Sequence, residues 1–179
     1  MLRIKDPKFW ETLRKRYEDR LKEIESKPPR WEAFDFYGQS VGLEITPDMQ
    51  MDRLWDSTKD LDLIQRHVRG LIKHGRKRTG EFELVDKMEE IEEQIDYAIA
   101  LARPPLKKLT YDRGNLQKAL KNLEAAFETF KQIYIDVSLK LEARRGGWIE
   151  TTPSIYQHLR DAVHALRKWL EWDAIRNVR

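Results

Sequence analysis

The length, charge and residue usage of the chain narrow the classes of protein that it can be. With 179 residues, of which 40% are apolar and 36% charged, it can bury one good core, so we predict a single folded domain over residues 1–179. The absence of cysteine excludes disulfide frameworks, thiolate zinc sites and cysteine nucleophiles. The net charge of +3 is too small to indicate a nucleic-acid partner without local clustering.

Hydropathy and composition also predict the cellular location of the protein and the environment of its source. No apolar run reaches the roughly 18 residues of a membrane helix, and the first residues lack the apolar core of a signal peptide. We therefore expect a cytoplasmic protein without membrane contact. Abundant lysine, arginine and glutamate, few asparagines and no cysteine are typical of proteins from hot environments, which makes a thermophilic source a hypothesis.

Three predicted helices begin with a capping residue followed by proline. The pairs are Asp6-Pro7, Thr46-Pro47 and Thr152-Pro153. The cap accepts a backbone N–H at the helix start, whereas proline has none to satisfy there. We expect the first helix to end at Pro28-Pro29 and the second at Gly75, because these residues interrupt or cap helices. Between these two helices, residues 27–46 form an aromatic-rich connection, which we expect to pack across the bundle.

The third and fourth predicted helices carry the clearest apolar periodicity. The third starts at Thr79-Gly80 and ends at Pro104-Pro105, and the fourth ends at Gly146-Gly147. Their seams are Leu84, Met88, Ile91, Ile95, Ala98 and Ala102, then Leu116, Leu120, Leu123, Phe127, Phe130, Tyr134, Val137 and Leu141. Steps of three and four place each seam on one helical face. The pattern predicts an all-α bundle of about five helices around a long antiparallel central pair.

Acidic residues crowd the third predicted helix but do not indicate a metal site. If its apolar seam faces the core, five acids point outward, as on a solvated face: Asp86, Glu89, Glu90, Glu93 and Asp96. The chain also lacks the glycine-rich phosphate loops and the nucleophile motif of common enzyme families. We therefore predict a non-catalytic protein without metal or cofactor.

One catalytic alternative depends on Arg69 and His74. Their spacing is similar to the arginine and histidine signature of HEPN-type ribonucleases, which are small helical bundles. The resemblance implies metal-independent RNA cleavage by a pair that meets across a dimer. The chain departs from the signature because the residue after the arginine is Gly70 rather than a polar one. A HEPN-like ribonuclease is therefore the weaker alternative.

A basic stripe is the main candidate site. Between positions 66 and 78 there is no acid, and six residues are basic: Arg66, Arg69, Lys73, Arg76, Lys77 and Arg78. The first three share a helical face and the others follow on the next turn, so phosphates could bind along it. Arg144 and Arg145 could extend this surface. The prediction is binding to the nucleic-acid backbone with little base specificity, as in an accessory subunit or a viral or mobile-element nucleoprotein.

Two tryptophans near the C-terminus support a different function. Trp169 and Trp172 cannot both lie on the apolar face of the last helix, so we expect one near the surface, in a subunit contact. A homo-oligomer or a subunit of a larger assembly follows from this. The alternative function is therefore an oligomerising structural or adaptor protein, in which the basic stripe docks on the acidic third helix of a neighbour.

Overall fold

Every element of secondary structure in the described part of the chain is a helix, as predicted. The computed structural model describes residues 6–29, 47–103, 112–142 and 150–177, with side chains except at 47–57, 78 and 172–177. The helices are α1 (Pro7–Ser26), α2 (Pro47–Arg78), α3 (Phe82–Ala102), α4 (Arg113–Asp136) and α5 (Thr151–Asn177). A π-helical segment, Val137–Glu142, extends α4. An all-α bundle, with five α-helices in the described part of the chain, is confirmed, and most of the aromatic-rich connection, residues 30–46, lies outside the described residues.

Helices α2 to α5 form a closed four-helix ring. The contact between α3 and α4 is the most extensive, which confirms the predicted central antiparallel pair, and the ring closes through contacts of α2 with α5, α2 with α3 and α4 with α5. Helix α1 lies outside this ring, against α5 and the π segment. The arrangement leaves one side of α2 and one side of α3 facing away from the bundle.

A single apolar cluster joins all five helices. It contains Tyr17 of α1 and Trp169 of α5, whose exposed fractions are 0% and 2%. On α4 a second stripe is buried beside the predicted seam, of which only Leu120 and Phe127 are partly buried, so a wide arc of this helix is apolar. The stripe consists of Ala119, Ala126 and Ile133. A helix that is buried over such an arc packs against several neighbours at once.

Gly75 does not end α2, contrary to the prediction. The helix continues to Arg78, and Gly75 lies buried inside it. A Cβ at this position would lie 2.5 Å from Val85 Cγ2 and 3.1 Å from Leu141 Cδ2. The glycine therefore allows close approach of α2 to its neighbours, and the chain reverses instead at Gly80, whose φ of 69° suits glycine.

Only part of the capping prediction is correct. Asp6 caps α1 as expected, because its Oδ1 accepts a hydrogen bond of 3.0 Å from the Lys8 N–H. Helix α5, however, begins at Thr151, and its first two N–H groups are donated to the carboxylate of Glu142. Thr152 is therefore inside the helix, and a distant glutamate acts as the cap.

Candidate functional site

Part of the basic stripe is neutralised by α3 of the same chain. Arg69 Nε lies 3.0 Å from Glu92 Oε1, and its Nη2 lies 3.0 Å from Asp96 Oδ1. The hydrogen bond with Glu92 raises the pKa of Arg69, so the arginine stays charged. Arg76, two turns after Arg69 on α2, pairs with Glu89, one turn before Glu92 on α3. Two of the six predicted phosphate ligands thus already bind carboxylates of the neighbouring helix.

Further contacts continue this row along the seam between α2 and α3. Gln65 Nε2 donates to Asp96 Oδ1 over 2.7 Å and to the backbone oxygen of Glu92 over 2.8 Å. At the other end of α3, Arg103 Nη2 lies 2.6 Å from Asp62 Oδ2. These contacts set an antiparallel register, in which residues late in α2 lie beside residues early in α3.

The remaining basic residues lie on the side of α2 that faces away from the core. Arg66, Lys73 and Lys77 are exposed and make no ion pair to a described residue. At about 100° per residue they share a face opposite the buried Val68 and Leu71. We call these three residues the basic row, and its length from Arg66 to Lys77 is about 16 Å at 1.5 Å per residue.

Helix α3 carries a matching row of the opposite charge. Asp86, Glu90 and Glu93 are exposed, lie opposite the buried Met88 and Ile91, and make no ion pair to a described residue. We call these three residues the acidic row. The prediction that the α3 acids point outward is correct for this row, whereas Glu89 and Asp96 turn toward α2 instead.

Two exposed aromatic side chains flank the acidic row. Phe82 is 63% exposed and Tyr97 58% exposed, and both lie on the same outward side of α3 as the acids. Exposed large aromatics are common at protein interfaces, where they supply rigid apolar contact area. The outward side of the α2–α3 hairpin thus carries cations, anions and aromatic rings within one surface, which we call the hairpin face.

The other predicted site residues do not join this surface in the described structure. The side chain of Arg78 and residues Arg144 and Arg145 lie outside the described part, as does the side chain of Trp172. Trp169 lies in the core, so it stabilises its own chain rather than a surface contact. The prediction that one tryptophan of this pair reaches the surface now concerns Trp172 alone.

Arg69 and His74 do not form a joint site within the chain. They are five positions apart on one continuous helix, which places their side chains about 140° apart. Arg69 is held at the seam with α3, whereas Nε2 of His74 is buried. The geometry within one chain therefore gives no support to the HEPN-like alternative.

Sequence reasoning missed a buried polar cluster where α4 meets α5. Glu142 is 0% exposed, and its Oε1 accepts from the Thr151 N–H over 2.6 Å, while its Oε2 accepts from the Thr152 N–H over 3.1 Å and from the Thr152 hydroxyl. The Ser138 hydroxyl lies 2.8 Å from that of Thr152. Burial raises the pKa of Glu142, although the hydrogen bonds from Thr152 and Thr151 oppose this.

The cluster caps α5 completely. Thr151 and Thr152 donate their N–H groups to Glu142, Pro153 has none, and the Ser154 N–H is donated to the Glu150 oxygen over 3.0 Å. The π turn brings Glu142 inward, because a wider turn shifts the side chains that follow it relative to an α-helical phase. The sequence signal that could have indicated this is weak, namely a glutamate directly after the seam residue Leu141.

Arg160, like Glu142, binds the end of a helix. It lies beside a cavity of about 320 Å³ between α1 and α5. Its guanidinium donates to the backbone oxygens of Ile24 and Lys27, at the C-terminal end of α1. The Ile24 oxygen also accepts from the Lys27 N–H over 3.2 Å, and a cation at this end of α1 balances the helix dipole. Arg160 therefore links α5 to the C-terminal end of α1.

The described residues contain no group of three or more histidine, aspartate or glutamate side chains able to hold a metal ion. Among the described helices, none is both long and apolar enough to cross a membrane. The chain matches no protein family, no curated protein and no solved structure.

Proposed function

We propose that the chain is a non-catalytic, oligomerising structural or adaptor protein that docks on protein surfaces through the hairpin face. The supporting observation is the position of two rows of opposite charge, side by side and directed away from the core. None of their six members makes an ion pair to a described residue. A protein surface can present both signs of charge and thereby complement both rows at once.

The acidic row is the reason for preferring a protein partner to a nucleic acid. Packed helices lie about 8–10 Å apart, so a phosphate bound to the basic row approaches the acidic row within that distance. The Debye length is about 10 Å at 0.1 M salt, which leaves this repulsion only partly screened. In addition, Arg69 and Arg76 already bind α3 carboxylates.

Nucleic-acid binding is the second candidate function, and the basic row supports it. Its three cations extend along one helical face for about 16 Å, a shape that suits a phosphate backbone. Three contacts predict a slope of about −3 for log affinity against log salt on duplex DNA, compared with about −5 for the complete six-residue stripe. A salt titration therefore distinguishes these two forms of the hypothesis.

Two complementary variants test the proposed function. One carries Arg66→Glu, Lys73→Glu and Lys77→Glu, and the other carries Asp86→Lys, Glu90→Lys and Glu93→Lys. Each variant then presents a hairpin face of one sign, so we expect each to be monomeric and the mixture to form a 1:1 complex at low salt. Sedimentation velocity measures the complex, and circular dichroism checks that both variants retain their helices.

A matched control uses the exposed lysines of α4. The variant Lys118→Glu, Lys121→Glu and Lys131→Glu changes the net charge by the same amount on another side of the bundle. We expect it to bind the all-basic hairpin variant much more weakly. Equal binding, or no complex between the two hairpin variants, would refute docking at the hairpin face. Tight duplex binding by the wild-type chain with no such complex would instead favour the second candidate.

A further inference from the structure

The register of the hairpin places opposite charges at equal heights along the bundle. Arg69 is level with Glu92 and Asp96, and Arg76 is level with Glu89. By the same register Lys73 lies level with Glu90, Lys77 level with Asp86 and Arg66 level with Tyr97. Each member of the basic row therefore has an anion or an aromatic ring beside it, at the same height, on the adjacent helix.

We propose that the partner of the hairpin face is a second copy of this chain, related by a twofold axis parallel to α2 and α3. This inference rests on the proposed function. Rotation about such an axis preserves height and exchanges the positions of the two helices across the interface. Lys73 then faces Glu90 of the second copy, Lys77 faces Asp86, and Arg66 faces the ring of Tyr97, with every contact occurring twice.

Symmetry explains why this orientation is favoured over the other face-to-face one. A twofold axis in the plane of the face but perpendicular to the helices would place α2 on α2 and α3 on α3. Cations would then face cations and carboxylates would face carboxylates, which opposes association. Only the parallel axis makes the face complementary to itself, and it also covers Tyr97, which is 58% exposed in the single chain.

The size of the face predicts a weak dimer. Two helices, each about 10 Å wide, over a length of about 20 Å give about 400 Å² per copy. The total of about 800 Å² lies below the roughly 1,200 Å² of stable complexes. Charge pairs at such an exposed interface are sensitive to salt. We therefore expect a dimer that forms at high protein concentration and low salt and dissociates at about 0.5 M salt.

Charge reversal and its compensation test the pairing. We expect Lys73→Glu to weaken dimerisation at least tenfold in sedimentation velocity, because a glutamate then faces Glu90. The double variant Lys73→Glu, Glu90→Lys should restore it, since both contacts are reversed together. Lys118→Glu, an equal change of charge on α4, should have little effect. Failure of the double variant to restore the dimer, or equal weakening by Lys118→Glu, would overturn the proposed pairing.

Disulfide trapping tests the symmetry, because the chain contains no cysteine. Mixed single variants Lys73→Cys and Glu90→Cys should form a disulfide between copies under mild oxidation, since their positions face each other. Neither variant alone should do so readily, because two copies of position 73 lie diagonally across the interface, beyond the roughly 7 Å that a disulfide spans. Rapid trapping of Lys73→Cys alone would overturn the parallel axis.

Self-association of the wild-type chain and binding between the two opposite hairpin variants together distinguish failure of the dimer from failure of the proposed function. If the wild-type chain stays monomeric at low salt while the two opposite hairpin variants bind each other, the hairpin face docks charged protein, but a second copy is not its partner. If the opposite variants also fail to bind, both proposals are wrong. Duplex DNA binding that depends on Lys73, without self-association, would assign the basic row to nucleic acid and overturn the dimer.

Discussion

Carboxylates have different structural roles at the seam between α2 and α3 and at the junction of α4 with α5. At the hairpin, Glu92 and Asp96 bind Arg69, whose side chain is 54% exposed. At the junction, Glu142 is fully buried and holds the N-terminus of α5. Exposed ion pairs contribute little stability because water competes for both groups, whereas buried acceptors are costly to remove. The difference indicates that the junction contributes more to the stability of the fold than the ion pairs of the hairpin do.

The largest expected effect is that of Glu142→Ala. The substitution leaves the N–H groups of Thr151 and Thr152 without their acceptor in a buried site, so we expect a loss of about 2–4 kcal/mol in the free energy of unfolding. Urea denaturation measures this loss. The control Glu124→Ala removes an exposed carboxylate that pairs with Arg167, and it should cost less than about 1 kcal/mol. Equal losses in both variants would remove the contrast between the two regions.

The packing beneath the hairpin face gives the next largest effect. Gly75→Ala places a Cβ about 2.5 Å from Val85 Cγ2. We expect overpacking of about 1–3 kcal/mol, reduced by the gain in helix propensity of about 1 kcal/mol. Urea denaturation of Gly75→Ala, Val85→Ala and the double variant measures the coupling of the two sites. A double variant that loses the sum of the two single losses would show that the close approach is unimportant.

The pH dependence of stability tests whether burial or hydrogen bonding dominates the pKa of Glu142. Because burial raises its pKa in the folded state, the folded chain holds the proton more tightly than the unfolded chain does. The contribution of Glu142 to the free energy of unfolding is therefore complete below the pKa of this residue in the unfolded chain, about 4.5. It declines as the pH rises through the pKa of Glu142 in the folded chain. We expect the stability of the wild type relative to Glu142→Gln to fall over this range, as measured by urea denaturation at several pH values. A rise would mean that the hydrogen bonds outweigh burial.

The smallest expected effect is that of Arg69→Ala at the seam of the hairpin. Its ion pairs are largely exposed, so we expect a loss below about 1 kcal/mol in thermal or urea unfolding. The control Arg66→Ala removes an exposed arginine that makes no ion pair to a described residue, and it should be nearly neutral. A loss in Arg69→Ala as large as that of Glu142→Ala would show that the hairpin charges also stabilise the fold.

The helices could be predicted from the sequence because apolar periodicity is a local property. The seam of α3 is buried as expected, and so is that of α4 except at Leu120 and Phe127, which are partly buried. Gly75 and Thr152 were misread, because glycine and threonine at helix ends look the same in sequence as residues that pack inside a helix. Glu142 was missed because a π turn and a cap from a residue in the preceding helix leave no periodic signal.

Apolar periodicity and the order of the charged residues were enough to predict an all-α fold and two blocks of opposite charge. Which charges meet depends on the folded arrangement, because pairs such as Arg69 with Glu92 require a particular rotation of α2 against α3. That rotation is set by burial of the apolar seams and by the close approach at Gly75. This rotation pairs Arg69 and Arg76 with carboxylates of α3 and leaves the basic row facing outward beside the acidic row. The spacing of residues along one helix does not show which of its charges face a neighbouring helix.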